Sequence, residues 1–329
     1  MHFPLRDWLQ AHADCRHDLG ESGMHGSIAP PPWPRRAPDP DVAEVLADEL
    51  GRHLGVARER LFLARGASEA NGWVLGHLAR ASRARRPGLR VQYPEYPPLF
   101  DAAAALGFRP SDGRGAAEAA AISQPRNPEG DLWGRARLES WAEDVRAVLI
   151  DETFREFAGT ASLARAGTPG WWTTGSFTKF FGADDVRVGF AVAPPEAVEA
   201  FRRYVGLVAD DLAPASAAMA LALLRRRDAV ARQVRAVIAP AVHALSELLP
   251  HLGRPQGPVA FDRVPGEDGD RLARRCLDAS VRVAPGSLFG DPSGVRLCLT
   301  RRDAARSLRA YAAVRERGSP RSLRGRSRV

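Results

Sequence analysis

Apolar positions along this chain recur with two alternating spacings. Over residues 41–54, DVAEVLADELGRHL, Val42, Val45, Leu46 and Leu50 fall on one helical face, and the leading acids suit the positive end of the helix dipole. RLFLARGASEANGWVLGHLAR then predicts a short strand, a glycine turn and a helix capped at Ser68, with Trp73, Leu75 and Leu78 free to pack. Residues 89–108 repeat the order of strand, proline-rich turn and helix, with Gly107 as the stop. Further strands are expected at Ala120 to Ser123, at AVLID (147–151), at WWTTGS and at VRVGFAVAP. Strands alternating with helices predict a doubly wound, mostly parallel sheet covered on both faces, with its ligand site beyond the carboxyl ends of the strands. Gly66 to Ser68, Asn127, Asp151 and Ser176 should converge there. From about Pro195 the pattern changes to long helices, then to short strands and a last helix near 302–316, as a smaller α+β domain would read.

Composition adds exclusions. With 329 residues, 45% hydrophobic and 26% charged, the chain can bury a large core and divide into two domains. No apolar run reaches the roughly 18 residues of a membrane span, and the N-terminus is too polar and acidic for a signal peptide, so a cytoplasmic protein without membrane partners is expected. The three cysteines lack metal or disulfide spacing and read as small core residues, and no two of the eight histidines have the i, i+4 spacing of paired metal ligands on a helix, so no metal is expected. The net charge of +8 owes much to an arginine-rich tail at 318–329 that carries no acid, expected to be solvated and disordered, so specific nucleic-acid binding is not expected.

One count sharpens the reading. Of 47 basic residues, only Lys179 is lysine. A guanidinium keeps its proton and cannot attack a carbonyl, whereas a desolvated amine can form an imine, so position 179 should hold a task that arginine cannot perform.

Around that lysine the motifs GASEA (66–70), PEY (94–96), NPEG (127–130), DETF (151–154), SFTKFFGADDVRVGF (176–190) and GVRLCLT (294–300) stand in order. Each is weak alone; Asn-Pro-x-Gly, for one, is a common turn. In this order the chain resembles fold-type I pyridoxal-phosphate enzymes of the class I and II aminotransferase group, which includes histidinol-phosphate aminotransferase and threonine-phosphate decarboxylase. The resemblance implies an α/β fold of the aspartate aminotransferase type. It divides the chain into a segment covering the active site (1–40), a large cofactor-binding domain (41–208), an interdomain helix with the small domain (209–317) and the basic tail (318–329).

It also implies roles. Lys179 would carry pyridoxal phosphate as a Schiff base and shuttle protons. Asp151 would face the pyridine nitrogen, which must stay protonated for the ring to draw electrons. Gly66, Ala67, Ser68, Ser176, Thr178 and Arg187, the last through the K-x7-R-x-G pattern, would hold the cofactor. Asn127 would bond the phenolic oxygen, Tyr96 would stack on the ring, and Arg296, after Pro285, Gly286 and Phe289, would clasp the substrate carboxylate. The implied reaction moves an amino group between an amino acid and a keto acid in a homodimer. Two departures stand out. Phe154 replaces a usual tyrosine, which keeps decarboxylation, elimination or cyclisation open beside transamination, and Ala37 replaces a tyrosine that often reaches the neighbouring subunit. A binding protein that retains the fold is a third reading, against which Lys179, Asp151, Asn127 and Arg187 argue. The segment 18–34 is expected to lie over the substrate, with His25 in reach of it.

Overall fold

The computed structural model describes residues 3–28, 34, 37–113 and 117–317; the basic tail and part of the segment 18–34 lie outside the described residues. In chain order the elements are α1 (Pro4–Ala11), β1 (His17–Asp18), α2 (Val42–Leu54), β2 (Leu61–Ala64), α3 (Ala67–Ala81), β3 (Gly88–Val91), α4 (Pro97–Ala105), β4 (Arg109–Ser111) and β5 (Ala119–Ser123). There follow α5 (Arg135–Trp141), β6 (Ala147–Asp151), α6 (Arg155–Ala158), β7 (Trp171–Ser176), β8 (Gly189–Val192), α7 (Val198–Val208), α8 (Pro214–Arg225) and α9 (Arg227–Leu248). The last are β9 (Val259–Arg263), α10 (Gly269–Asp278), β10 (Val281–Arg282), β11 (Ala284–Pro285), β12 (Gly294–Cys298) and α11 (Ala304–Arg317).

Seven strands form one sheet in the order β2-β8-β7-β6-β5-β3-β4, parallel throughout except for β8, which runs against both neighbours. Its central strands are apolar on both sides because both faces are covered. Ala119, Ala121, Ala147 and Leu149 pack under α3, α4 and α7, whereas Ala120, Ile122, Val148 and Ile150 meet Trp133 and Leu138 on the other face. The expected α/β architecture is therefore present, with local corrections: Val45 of α2 is exposed while Val42, Leu46 and Leu50 are buried, and one helix start differs. Ser68 does not cap α3; the cap position is Gly66, at φ 108°, a value that glycine adopts without strain.

A second sheet, β11-β12-β9, is antiparallel and shares a core with α9, α10 and α11. The N-terminal segment is tied to this part of the molecule. β1 pairs with β10, Trp8 Nε1 donates to the Val283 carbonyl at 2.9 Å, and Arg282 donates twice to the Asp18 carboxylate. Of the cysteines, Cys276 and Cys298 are core residues as expected, whereas Cys15 is only half-buried. Among the described residues no helix is long and apolar enough to cross a membrane.

Candidate active site

Strands of the large sheet end together at one place. β5 stops at Ser123 beside Asp151 of β6, Asp151 lies beside Thr174 of β7, and β8 begins at Gly189 opposite both Ser176 and Ala64. A Cβ on Gly189 would stand 2.4 Å from the Gly66 carbonyl carbon and 2.7 Å from the Ala67 nitrogen, so only glycine lets β8 abut the start of α3. Above these ends lies a cavity of about 360 Å3, the size of a small-molecule site. Gly66, Ala67, Ser68, Tyr96, Asn127, Asp151, Ser176, Thr178, Lys179, Arg187 and Arg296 all line it, although the first and last are 230 residues apart in sequence.

Their environments differ in ways that bear on chemistry. Lys179 is half-buried, and its amine has no hydrogen bond or ion pair among the described residues. The segment before α2 leans on it, because Met24 N–H donates to the Lys179 carbonyl at 2.9 Å and a Cβ on Gly23 would lie 3.4 Å from Lys179 Cδ. Asp151, only 3% exposed, accepts from Asn71 Nδ2 at 2.8 Å and from Thr153 N–H at 2.9 Å.

At the start of α3 the first amides have no partner within the helix and carry its positive dipole end. Nearby, the Ser176 and Thr178 hydroxyls lie 2.8 Å apart, and Arg187 donates from Nη2 to the Arg65 carbonyl at 3.1 Å. Arg187 lies so close over the turn that a Cβ on Gly66 would come within 3.0 Å of its Nη2. Amides, two hydroxyls and a guanidinium make an anion cradle.

On the opposite wall Arg296 is 2% exposed and sits over the Phe289 ring, 4.8 Å from its centroid. Its Nη1 donates to Asn127 Oδ1 at 3.1 Å and its Nη2 to the Gly20 carbonyl at 2.8 Å, while its buried Nε has no partner among the described residues. Burial pushes the Tyr96 phenol up to about 12, with the Asp151 charge adding to the effect and Arg296, Arg6 and the Ser68 hydrogen bond opposing it. The phenol stays neutral at physiological pH. Beside it the wholly buried Glu95 is raised by burial to about 7, against hydrogen bonds from Ser123 and from the Tyr96 and Ser123 amides and the charge of Arg126. Ser123 Oγ donates to Glu95 at 2.5 Å and accepts from Asn127 N–H at 2.8 Å, which fixes the Asn127 loop.

Some lining residues were not singled out by number. Leu5, Arg6, Leu9 and Gln10 of α1 close one side and lie, like Glu21 and Ser22, within the segment expected to cover the site, and Thr153 and Asp184 add polar groups. An amphipathic signal in PLRDWLQA could have flagged α1. Of the segment expected over the substrate, Glu21 and Ser22 reach the cavity, but His25 is exposed and does not line it. Phe154 faces the cavity where a tyrosine is usual.

Comparison with known proteins converges on one group. The model of the family described as aminotransferase class I and II matches residues 114–313. Among curated relatives, the aspartate aminotransferase of Thermococcus kodakarensis is 28% identical over 197 residues, 57% of this chain and 54% of that one. The aromatic amino acid aminotransferase of Rhodococcus jostii is 30% identical over 191 residues, covering 54% of this chain and 50% of its own. The matched region thus spans about half the length of these two relatives. The crystal structure of a PLP-dependent aminotransferase from Streptococcus suis superposes with a TM-score of 0.79 over 97% of this chain and 98% of that one, at 16% identity, a likeness of fold.

Proposed function

This chain belongs to the aminotransferase class I and II family, and from that membership and the geometry of the cavity we propose that it is a pyridoxal-phosphate-dependent aminotransferase acting on an amino acid and a keto acid. The observation that carries the reading is the placement of a lysine amine, unpaired among the described residues, in one cavity with a buried carboxylate, an anion cradle and a buried arginine. The residues fit the cofactor on two counts and its amino-acid substrate on a third. The Gly66 turn is open where a side chain would block it, the hydroxyls and Arg187 suit a phosphate, and Arg296 Nε is a buried donor lacking an acceptor among the described residues.

Bound there, pyridoxal phosphate supplies an aldehyde and a conjugated ring able to draw electrons from a substrate carbon. The chain's own residues do the rest. Lys179 would hold the group covalently through Nζ and, once the substrate amine had taken its place on the aldehyde carbon, would take and return the proton at the substrate Cα. Asp151 holds the ring nitrogen in its protonated form. Ala67, Ser68, Ser176, Thr178 and Arg187 bind the phosphate, Asn127 donates to the phenolic oxygen, and Tyr96 packs on the ring face. Arg296 would clasp the substrate carboxylate with two parallel hydrogen bonds and so fix the orientation of the substrate Cα. The N-terminal segment and α1 exclude water.

Phe154 favours a second reading on the same scaffold, another pyridoxal-phosphate reaction such as decarboxylation, elimination or cyclisation, because one hydrogen bond that tunes the ring oxygen is absent. We further assign residues 41–208 to a cofactor-binding unit and 209–317 to a smaller one, in a cytoplasmic homodimer whose subunit count sedimentation would measure. Purified protein loaded with pyridoxal phosphate should show visible absorbance that borohydride bleaches, with the cofactor adduct mapped to Lys179 by peptide mass. An amino-acid panel scored for keto acid against carbon dioxide and ammonia separates the two reactions. A protein that neither takes up the cofactor nor forms the adduct refutes both.

A further inference from the structure

Asp151 is set by a side chain that does not touch the cavity. Asn71 lies inside α3, 2% exposed, and donates from Nδ2 to Asp151 Oδ2 at 2.8 Å. Its own Oδ1 accepts from the Thr174 hydroxyl at 2.5 Å, and Thr174, fully buried on β7, is the register neighbour of Asp151 on β6. The order of donors is forced. A carboxylate only accepts, so the amide must turn its nitrogen toward Asp151 and its oxygen toward Thr174, whose hydroxyl then donates. The remaining carboxylate oxygen, Oδ1, is held by Thr153 N–H at 2.9 Å.

A buried asparagine among Ala70, Trp73, Val74 and Leu75 is costly unless both ends of its amide are satisfied, and here both are. No cation forms an ion pair with Asp151 among the described residues. Neutral donors therefore hold both carboxylate oxygens without cancelling the charge of a carboxylate, which leaves a cationic ring nitrogen as the natural counter-ion.

We propose that Asn71 is the positioning residue for Asp151, turning the carboxylate toward the cofactor's ring nitrogen and keeping it an acceptor, with the Thr174 hydroxyl locking the amide. This rests on the cofactor assignment above. The consequence is that ring protonation depends on a residue contributed by α3, the helix whose first turn also binds the phosphate, so one element fixes both ends of the cofactor.

The test uses the full chain loaded with ring-15N pyridoxal phosphate, as wild type, Asn71→Leu and Thr174→Val. Asn71→Leu should weaken cofactor binding about 10-fold or more, the size of losing a hydrogen bond to a charged group, and Thr174→Val should act in the same direction by a few-fold. In both, the ring 15N shift should move toward the deprotonated form, and kcat should fall with little change in KM for the amino acid. A folded Asn71→Leu protein with wild-type affinity and an unmoved ring-nitrogen signal overturns the proposal. Should Asn71→Leu fail to fold, an unmoved signal in Thr174→Val overturns it equally. Wild-type protein that forms no Lys179 adduct overturns the cofactor assignment and this inference with it, a failure recognisable because Asn71 is then intact.

Discussion

Replacing Arg296 by lysine isolates the geometry of a guanidinium from its charge. In the cavity Arg296 is clamped between Asn127 Oδ1 and the Gly20 carbonyl, lies over Phe289, and keeps a buried Nε unpartnered among the described residues. Lysine preserves the charge but presents a point donor, so a substrate carboxylate keeps one charge-assisted bond and loses its parallel partner. Such a bond is worth roughly 1.5–3 kcal/mol, which corresponds to a fall in kcat/KM of roughly 10- to 150-fold. Cofactor affinity should change by much less than kcat/KM does, because Arg296 lies outside the anion cradle and the Asp151 cluster and reaches the residues assigned to the cofactor only through Asn127 Oδ1. Arg301→Lys is the control, since Arg301 donates to the His25 carbonyl and does not line the cavity. Steady-state kinetics against amino-acid concentration, paired with a cofactor titration, measure both quantities. An Arg296→Lys protein within threefold of wild type in kcat/KM, or one as impaired as its control, would refute the carboxylate-clasp argument.

Three further outcomes are expected. Lys179→Arg should lose the borohydride-fixed adduct entirely and depress turnover by about 100-fold or more, since a guanidinium can neither form the covalent link nor carry the proton. Burial raises the Glu156 carboxyl, but the His53 hydrogen bond and the charges of Arg155, His53 and Arg227 outweigh it and hold the group at about 2, below its ordinary 4.5. A depressed carboxyl contributes stability above the unfolded value and loses it as pH falls, so thermal midpoints should drop between pH about 4.5 and about 2, with a contribution of the order of 3 kcal/mol, and Glu156→Gln should flatten that slope. Glu95 acts in the opposite sense: burial lifts it to about 7, the unfolded chain releases its proton first, and stability should decline as pH rises from about 4.5 through about 7. A wild-type stability profile that is level across that upper window, or a slope that persists in Glu95→Gln, would contradict the assignment.

Much of this molecule was open to inspection of the residues alone, for a local reason. Side chains alternate across a strand and recur along a helix every three to four positions, so AVLID and DVAEVLADELGRHL announce a two-faced buried strand and a one-faced helix without reference to any neighbour. Lys179, alone of its kind, and the ordered motifs around it pointed to eleven residues that do line one cavity. What they could not mark was who would stand beside whom. Asn71, Asp151 and Thr174 are brought together across 103 residues only because β6 and β7 lie side by side beneath α3. The same holds for α1, whose wall of the cavity depends on β1 pairing with β10 some 264 residues away, and for Gly20, whose carbonyl meets Arg296 across 276. Periodicity is written into consecutive residues, whereas a hydrogen bond between distant side chains exists only after the sheet order is chosen, and burial in the finished core makes those bonds count.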